Sequence, residues 1–487
     1  MIILLGALAL PSAEGQTITT LDSFNGTDGW GPYAGLIADA NGNLFGTTQA
    51  GGPFFIDAAT PGDGTVFEVP YNGVTGSYAA TPTMLVSFNG TNGASPTAGL
   101  IADANGNLFG TTQAGGATSI GAEYPNDGTV FEVPYNNDST PPSYGTAITL
   151  VSFFNTVAST PTAGLIADAD GNLFGTTFGG TFPSEGTVFE IPYNATALSY
   201  ATTPTMLVNF NGTNGAIPQA GLIADANGNL FGTTQFGGAY SKGTVFEIPY
   251  NNNSTPPSYG TVITLVSFNG TNGALPYAGL IVDANGNLFG TTSEGGASGD
   301  GTVFEVPYNT ATGSYATALT TLVSFSGTDG ANPTASLIAD ANGNLFGTTQ
   351  LGGAYSEGTV FEIPYNNNST PPSYGTVITP VNFNGMNGGS PIAGLIADAN
   401  GNLFGTTQAG GASFSSTNAG YGTVFELSVS GFIAPGWFVG TPGTANCVGV
   451  STSTLAHTYG GLAHAASGLK FTSVSAMESA ISSYCSQ

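Results

Sequence analysis

Residues 39–48 read DANGNLFGTT. The same decapeptide starts again at Asp103, Asp225, Asp283, Asp340 and Asp398, and returns as DADGNLFGTT at Asp168. Two short apolar runs flank Asn41-Gly42, as in LIADA-NG-NLFG. Asn-Gly is a strong signal for a type I′ hairpin, whose two central residues both need positive φ. Asp170-Gly171, the other favoured pair, replaces it in the third copy. Asp39 and Asn43 can bond local backbone groups at the strand ends. The alternative is a cation loop. A calcium loop, however, places glycine sixth and ends on a bidentate acid; here glycine is fourth and no such acid follows. The stretch therefore reads as a structural turn, with a weak cation site as the other reading.

Working outward from the turn, each copy belongs to a longer unit. A run such as TLVSF (149–153) leads through a polar link to GLIADANGNLFGTT, then a Gly-rich loop, GTVFEVPYN and a variable polar loop. The period is 57–58 residues in the later units and 64–65 in the first two. TLVSF, GLIAD, NLFGTT and GTVFE are short, rich in β-branched and aromatic residues, and bounded by Gly, Asn and Pro, as strands are. Seven such units predict an all-β chain, a seven-bladed β-propeller of four-stranded blades. A right-handed β-solenoid is the alternative, but its repeats are usually much shorter. If GLIAD is innermost and TLVSF outermost, the chain starts with an orphan outer strand at Thr20–Phe24 and ends its last blade one strand short at Gly422–Val429. Those two segments are expected to pair and close the ring.

Composition narrows the function. The 487 residues carry Lys242 and Lys470, no arginine and 29 acids, for a net charge of −27. Such a chain repels nucleic acid, whose binding rests on basic side chains, and anionic membrane surfaces. With 40% hydrophobic and 6% charged residues it has the material for a core. The start, MIILLGALALPSAEGQ, reads as a secretory signal over residues 1–15, without its basic n-region; a buried N-terminal strand is the alternative. No other stretch approaches the ~20 apolar residues of a membrane span. A secreted, cell-surface or periplasmic monomer is expected.

The units resemble the GloVer tandem repeat of secreted bacterial proteins. GLIADANGNLFGTT, the following GG, and GTVFE carry the resemblance over residues 18–430. It implies a repeat architecture and no particular activity. The Glu that ends GTVFE departs from similar repeats, where a basic residue is common. A weaker resemblance, to streptogramin-lyase-type seven-bladed propellers, implies a histidine proton carrier. The only histidines, His457 and His464, lie outside the repeats.

Elimination bears on catalysis. Without a histidine in the propeller there is no Ser-His-Asp relay; no His/Cys cluster suits zinc, and no Gly-rich loop carries a P-loop lysine. No metal or cofactor is expected. Glu68, Glu132, Glu190, Glu247, Glu305, Glu362 and Glu426 recur at the end of GTVFE. They are expected to be solvated near strand ends, and a ring of equivalents lacks the asymmetry of acid–base catalysis. The reading is a non-enzymatic scaffold that binds a neutral glycan or an extracellular protein. The alternative is a carboxylate-based hydrolase or lyase acting on a carbohydrate or small molecule.

The loop between GG and GTVFE places the candidate site. It has 11 residues in units one and two and 10 in unit seven, against 4 or 5 in units three to six. In a closed ring these three units are neighbours, so Phe54, Phe55, Asp57, Asp63, Glu123, Tyr124, Asp127, Phe414 and Tyr421 are expected in one sector. Long loops on a rigid scaffold commonly carry recognition, and aromatic faces beside carboxylates suit sugars; neutral drift of loop length is the alternative. Beyond the propeller (16–430), residues 431–446 read as a Pro/Gly linker with Trp437. Residues 447–487 read as a small helical module, with Val474, Met477, Ile481 and Cys485 on one face. Cys447 and Cys485 are expected to form a disulfide.

Overall fold

The structure, a computed structural model, describes residues 16–57, 61–116, 127–153, 159–179, 185–398, 400–415 and 417–428. The linker, the C-terminal module, Cys447, Cys485 and both histidines lie outside the described residues. Seven four-stranded antiparallel sheets form the blades of a propeller. The first blade runs from Ile37–Ala38 through Leu44–Thr48 and Thr65–Val69 to Thr83–Ser87. Units two to six repeat that order. Among the described residues no helix is long and apolar enough to cross a membrane.

The seventh blade is built from both ends of the propeller. Ile396–Ala397, Asn402–Thr407 and Thr423–Ser428 supply three strands, and Thr17–Ser23 supplies the fourth. The pairing runs antiparallel from Thr17 opposite Ser428 to Ser23 opposite Thr423, with a bulge between Thr20 and Asp22. This is the expected closure. The strand starts three residues earlier than the apolar pattern suggested, because Thr17–Thr19 find partners in the longer last strand.

Burial follows strand position. All five residues of Leu44–Thr48 are buried, since this strand packs on blades to both sides. Thr65–Val69 buries all but its glutamate, whereas the outer Thr83–Ser87 buries Val86 alone. Between blades one and two, Phe45, Val66 and Val86 meet Leu100, Leu108, Phe131 and Val133. Burying such side chains contributes about 1.5–3 kcal/mol each, and the layer recurs around the ring.

The opening decapeptide forms a turn, but not of the expected type. The amide of Gly42 donates to the Asp39 carbonyl at 3.1 Å, and that of Asp39 donates to the Asn43 carbonyl at 3.0 Å. Positive φ falls on Gly42 (+88°) and not on Asn41. The central pair is therefore Ala40-Asn41, and Gly42 follows as the left-handed residue of a three-residue hairpin loop. Asp39 fixes this choice. Its Oδ1 accepts from the amides of Asn41 (2.9 Å) and Asn43 (2.8 Å), and its Oδ2 accepts from Asn43 Nδ2 (2.8 Å). Asn43 Oδ1 in turn accepts from the Tyr71 amide at 2.9 Å.

That last bond anchors an element read from the sequence as loop. In units one to six, the segment after GTVFE forms a two-stranded hairpin, Tyr71–Asn72 with Ser77–Tyr78 in the first. Tyr78 lies 4.9 Å from Tyr71 and 5.6 Å from Phe404 of the preceding blade, ring to ring. Each hairpin thus pins its blade to the one before it.

Candidate functional site

A cavity of about 2850 Å³ occupies the ring centre on the side of the Asp-Asn-Gly turns. The inner strands, the turns and tyrosines of the hairpins line it, with Glu132, Glu305 and Glu426 in its wall. The seven glutamates lie near strand ends, as expected, but are only partly solvated. Each is the fourth residue of its strand and half-buried. Burial, and then the charge of Asp39, push the Glu68 carboxyl above its ordinary range, and the other six repeat this with their own turn aspartates. The Tyr78 hydroxyl is raised as well, first by burial and then by Glu426. The turn carboxylates already accept bonds from their own loop, and the acids recur by sevenfold repetition. Among the described residues no group of three or more His, Cys, Asp or Glu side chains could hold a metal ion.

At the opposite end of the ring, where the blade-to-blade links and the long loops lie, units one, two and seven differ from the rest in loop length. Phe55 of unit one and Tyr421 of unit seven meet edge to face at 5.7 Å. Trp30 completes a triad, 6.3 Å from Phe55 and 6.0 Å from Tyr421. Phe54 beside it is 58% exposed. Asp57 is exposed on the same loop. Of the other described candidates, Phe414, Asp63 and Asp127 do not converge here. The Phe414 ring packs over Gly385 in the link one blade earlier, as Phe55 packs over Gly26. The Asp63 carbonyl accepts from the Ser95 amide and that of Asp127 from the Thr160 amide, which sets these residues on the next two links. Burial raises both carboxyls. Glu123 and Tyr124 lie outside the described residues.

Two residues of this seam were missed from the sequence, although both could be read there. Trp30 stands where the other links carry Ala94, Ser159, Ala216, Ala274, Ala331 and Gly389. Asp22 stands where the other outer strands carry Val86, Val151, Val208, Val266, Val323 and Val381. Asp22 and Asp28 form an asymmetric carboxylate pair peculiar to this seam. Burial raises Asp28, whose Oδ1 accepts from the Asn25 amide at 2.9 Å and whose Oδ2 accepts from Asn25 Nδ2 at 2.5 Å.

The ring order, the blade topology and the closing strand define a seven-bladed β-propeller. Residues 6–140, 124–317 and 254–460 each match the Gloeobacter/Verrucomicrobia repeat, and the chain belongs to that family. No curated protein matches it in sequence. Among solved structures it is similar to a protein provisionally described as a 6-phosphogluconolactonase from Bacteroides uniformis. That match has 14% identity and a TM-score of 0.46, and covers 71% of this chain and 84% of that one. It is also similar to the PQQ-bound aldose sugar dehydrogenase of Streptomyces coelicolor, at 14% identity and a TM-score of 0.39, covering 86% and 100%. At these scores neither likeness bears on function.

Proposed function

We propose that this protein is a secreted, non-enzymatic scaffold that binds a neutral glycan at the seam between its seventh and first blades. One observation carries the reading: Trp30, Phe55 and Tyr421 are gathered edge to face from two ends of the chain. They stand beside the exposed ring of Phe54. Aromatic surfaces of this kind stack on the apolar faces of sugar rings, and neighbouring carboxylates and amides accept or donate to hydroxyls. Among the described residues no other seam gathers such a surface, whereas the turns around the central cavity repeat nearly one set of groups, with Asp170 the exception, and their aspartates accept bonds from their own loops.

The carboxylate-hydrolase reading has less support. The asymmetric pair at the closing seam, Asp22 with Asp28, has its Asp22 Oδ2 shut away from solvent. A general acid must reach the leaving oxygen. The test is a glycan array with the wild type, followed by Trp30→Ala and by shortening the 53–63 loop to the length of AYSK in unit four. Loss of at least tenfold in affinity in both variants supports the seam. Equal binding by both places the ligand elsewhere, and turnover of an array sugar overturns the non-enzymatic reading.

A further inference from the structure

The seam that closes the ring differs from the other six in one buried residue. Elsewhere the apolar layer between blades includes the valine of the outer strand, as Val86 between blades one and two. Between blades seven and one the layer holds Phe24, Leu36, Leu44, Phe67, Phe404 and Val424, with Val69. The valine position is filled by Asp22, 5% exposed and paired in register with Val424. Its Oδ2 is buried with no hydrogen-bond partner. A buried carboxylate in such a place is costly when ionised and tolerable when neutral.

Among the described residues nothing near it supplies a compensating charge. Asp28 approaches from the link; Glu426 and Tyr421 belong to the partner strand and the loop before it, and Tyr78 comes from the first blade's hairpin. All are acids. The one basic side chain among the described residues, Lys242, belongs to the fourth unit.

We infer that Asp22 makes closure of the propeller pH-dependent: neutral, it completes the apolar seam, and ionised, it weakens the seam and loosens the closing strand Thr17–Ser23. Burial, followed by the charge of Asp28, raises its carboxyl to about 7, against a lowering contact from the Ser23 backbone. A carboxyl raised on folding stabilises the closed ring fully below its ordinary range, and that contribution is lost as pH rises through the raised value. The closing strand runs directly into the link that bears Trp30. The Phe24 amide donates to the Gly422 carbonyl at 3.1 Å, and the Gly31 amide to the Tyr421 carbonyl at 2.9 Å. Loosening the strand therefore loosens the contact between Trp30 and Tyr421. The inference stands whether or not the triad binds a sugar.

The experiment compares full-length wild type with Asp22→Val and Asp22→Asn by thermal melting at about pH 5 and about pH 8.5, on either side of the titration. Both variants should melt several degrees higher than wild type at the upper pH and much closer to it at the lower. Asn keeps the size of Asp, so it carries the test if Val does not fold. In a Trp437→Phe background, Trp30 emission of the wild type should shift to the red and quench more readily with acrylamide at the upper pH, and that of the Asn variant should not. A gap equal at both pH values, or variants less stable than wild type at the upper one, would overturn the inference.

Discussion

The Thr406 hydroxyl donates to the Ala34 carbonyl at 2.9 Å, joining residues 372 apart in the sequence. The same buried bond links each blade to the next: Thr47 to Ala98, Thr111 to Ala163, Thr176 to Ala220, Thr233 to Ala278, Thr291 to Ala335 and Thr348 to Ala393. Six of these bonds join segments already adjacent along the chain, and the seventh closes the circle. Thr406→Val keeps the volume and removes the donor. It should cost about 1 kcal/mol of stability, the net worth of a typical intramolecular hydrogen bond. Denaturant melts of Thr406→Val and Thr233→Val check this, with a lower midpoint expected for both. An unchanged midpoint would mean that the apolar layers alone hold the blades together.

The turn aspartates are expected to act through backbone amides and not through a metal. Asp225 Oδ1 accepts from the amides of Asn227 and Asn229, each at 2.9 Å, and Oδ2 accepts from Asn229 Nδ2 at 2.8 Å. Asp225→Ala leaves those donors to water and should lower stability by about 1–2 kcal/mol, comparable to loss of a helix cap. Chelation by EDTA should leave the wild-type melt where it was. A clear drop on chelation, restored by calcium, would show that the carboxylates hold a cation after all.

These two cases show what the sequence made legible. Strand order, blade number and the closing pair could be read because they depend on apolar period and repetition, which every unit states again. The turn type could not, because Asn-Gly is compatible with two loops and the bonds of Asp39 and Asn43 select between them. The Tyr hairpin was hidden by its length, since two-residue strands leave no alternation to detect. The seam residues Trp30 and Asp22 were visible only as departures, and they emerge when unit one is aligned with its siblings position by position. Loop length placed Phe55 and Tyr421 in one sector, where their rings meet. It could not show that Phe414, Asp63 and Asp127 each sit over a different link.

The ring of glutamates predicts an unusual dependence on pH. Every one of the seven is raised, first by burial and then by its turn aspartate, as Glu247 is by Asp225. Groups raised on folding contribute stability below the ordinary carboxyl range and lose it as pH rises through the raised values. The melting temperature should therefore fall between mildly acidic and neutral pH, where many proteins gain stability. Glu247→Gln should flatten the slope by the share of one among the raised carboxyls, and added salt should recover part of the loss by screening. Calorimetry across that range is the measurement; a melting temperature that rises toward neutral pH would contradict the assignment.

The closing strand should be necessary for the ring and replaceable in trans. Without residues 16–23 the last blade would end on Thr423–Ser428, a six-residue strand buried along most of its length. Its free edge would offer unpaired backbone groups to any other chain. The partly buried Ile18 and Leu21 would also leave the layers they pack against. Losing the ladder at about 1 kcal/mol per bond, together with those two side chains, amounts to several kcal/mol. The truncated protein should melt far below the full chain and elute partly as higher-order species. A synthetic peptide of residues 16–25 should restore both the melt and the elution of the full chain by adding its strand to the open edge. The Asp22→Val form of the peptide should do so at a lower concentration, most of all above neutral pH. A truncated protein that melts with the wild type would mean that the last blade stands on three strands, and that the pairing of Thr17–Ser23 with Thr423–Ser428 adds nothing to closure.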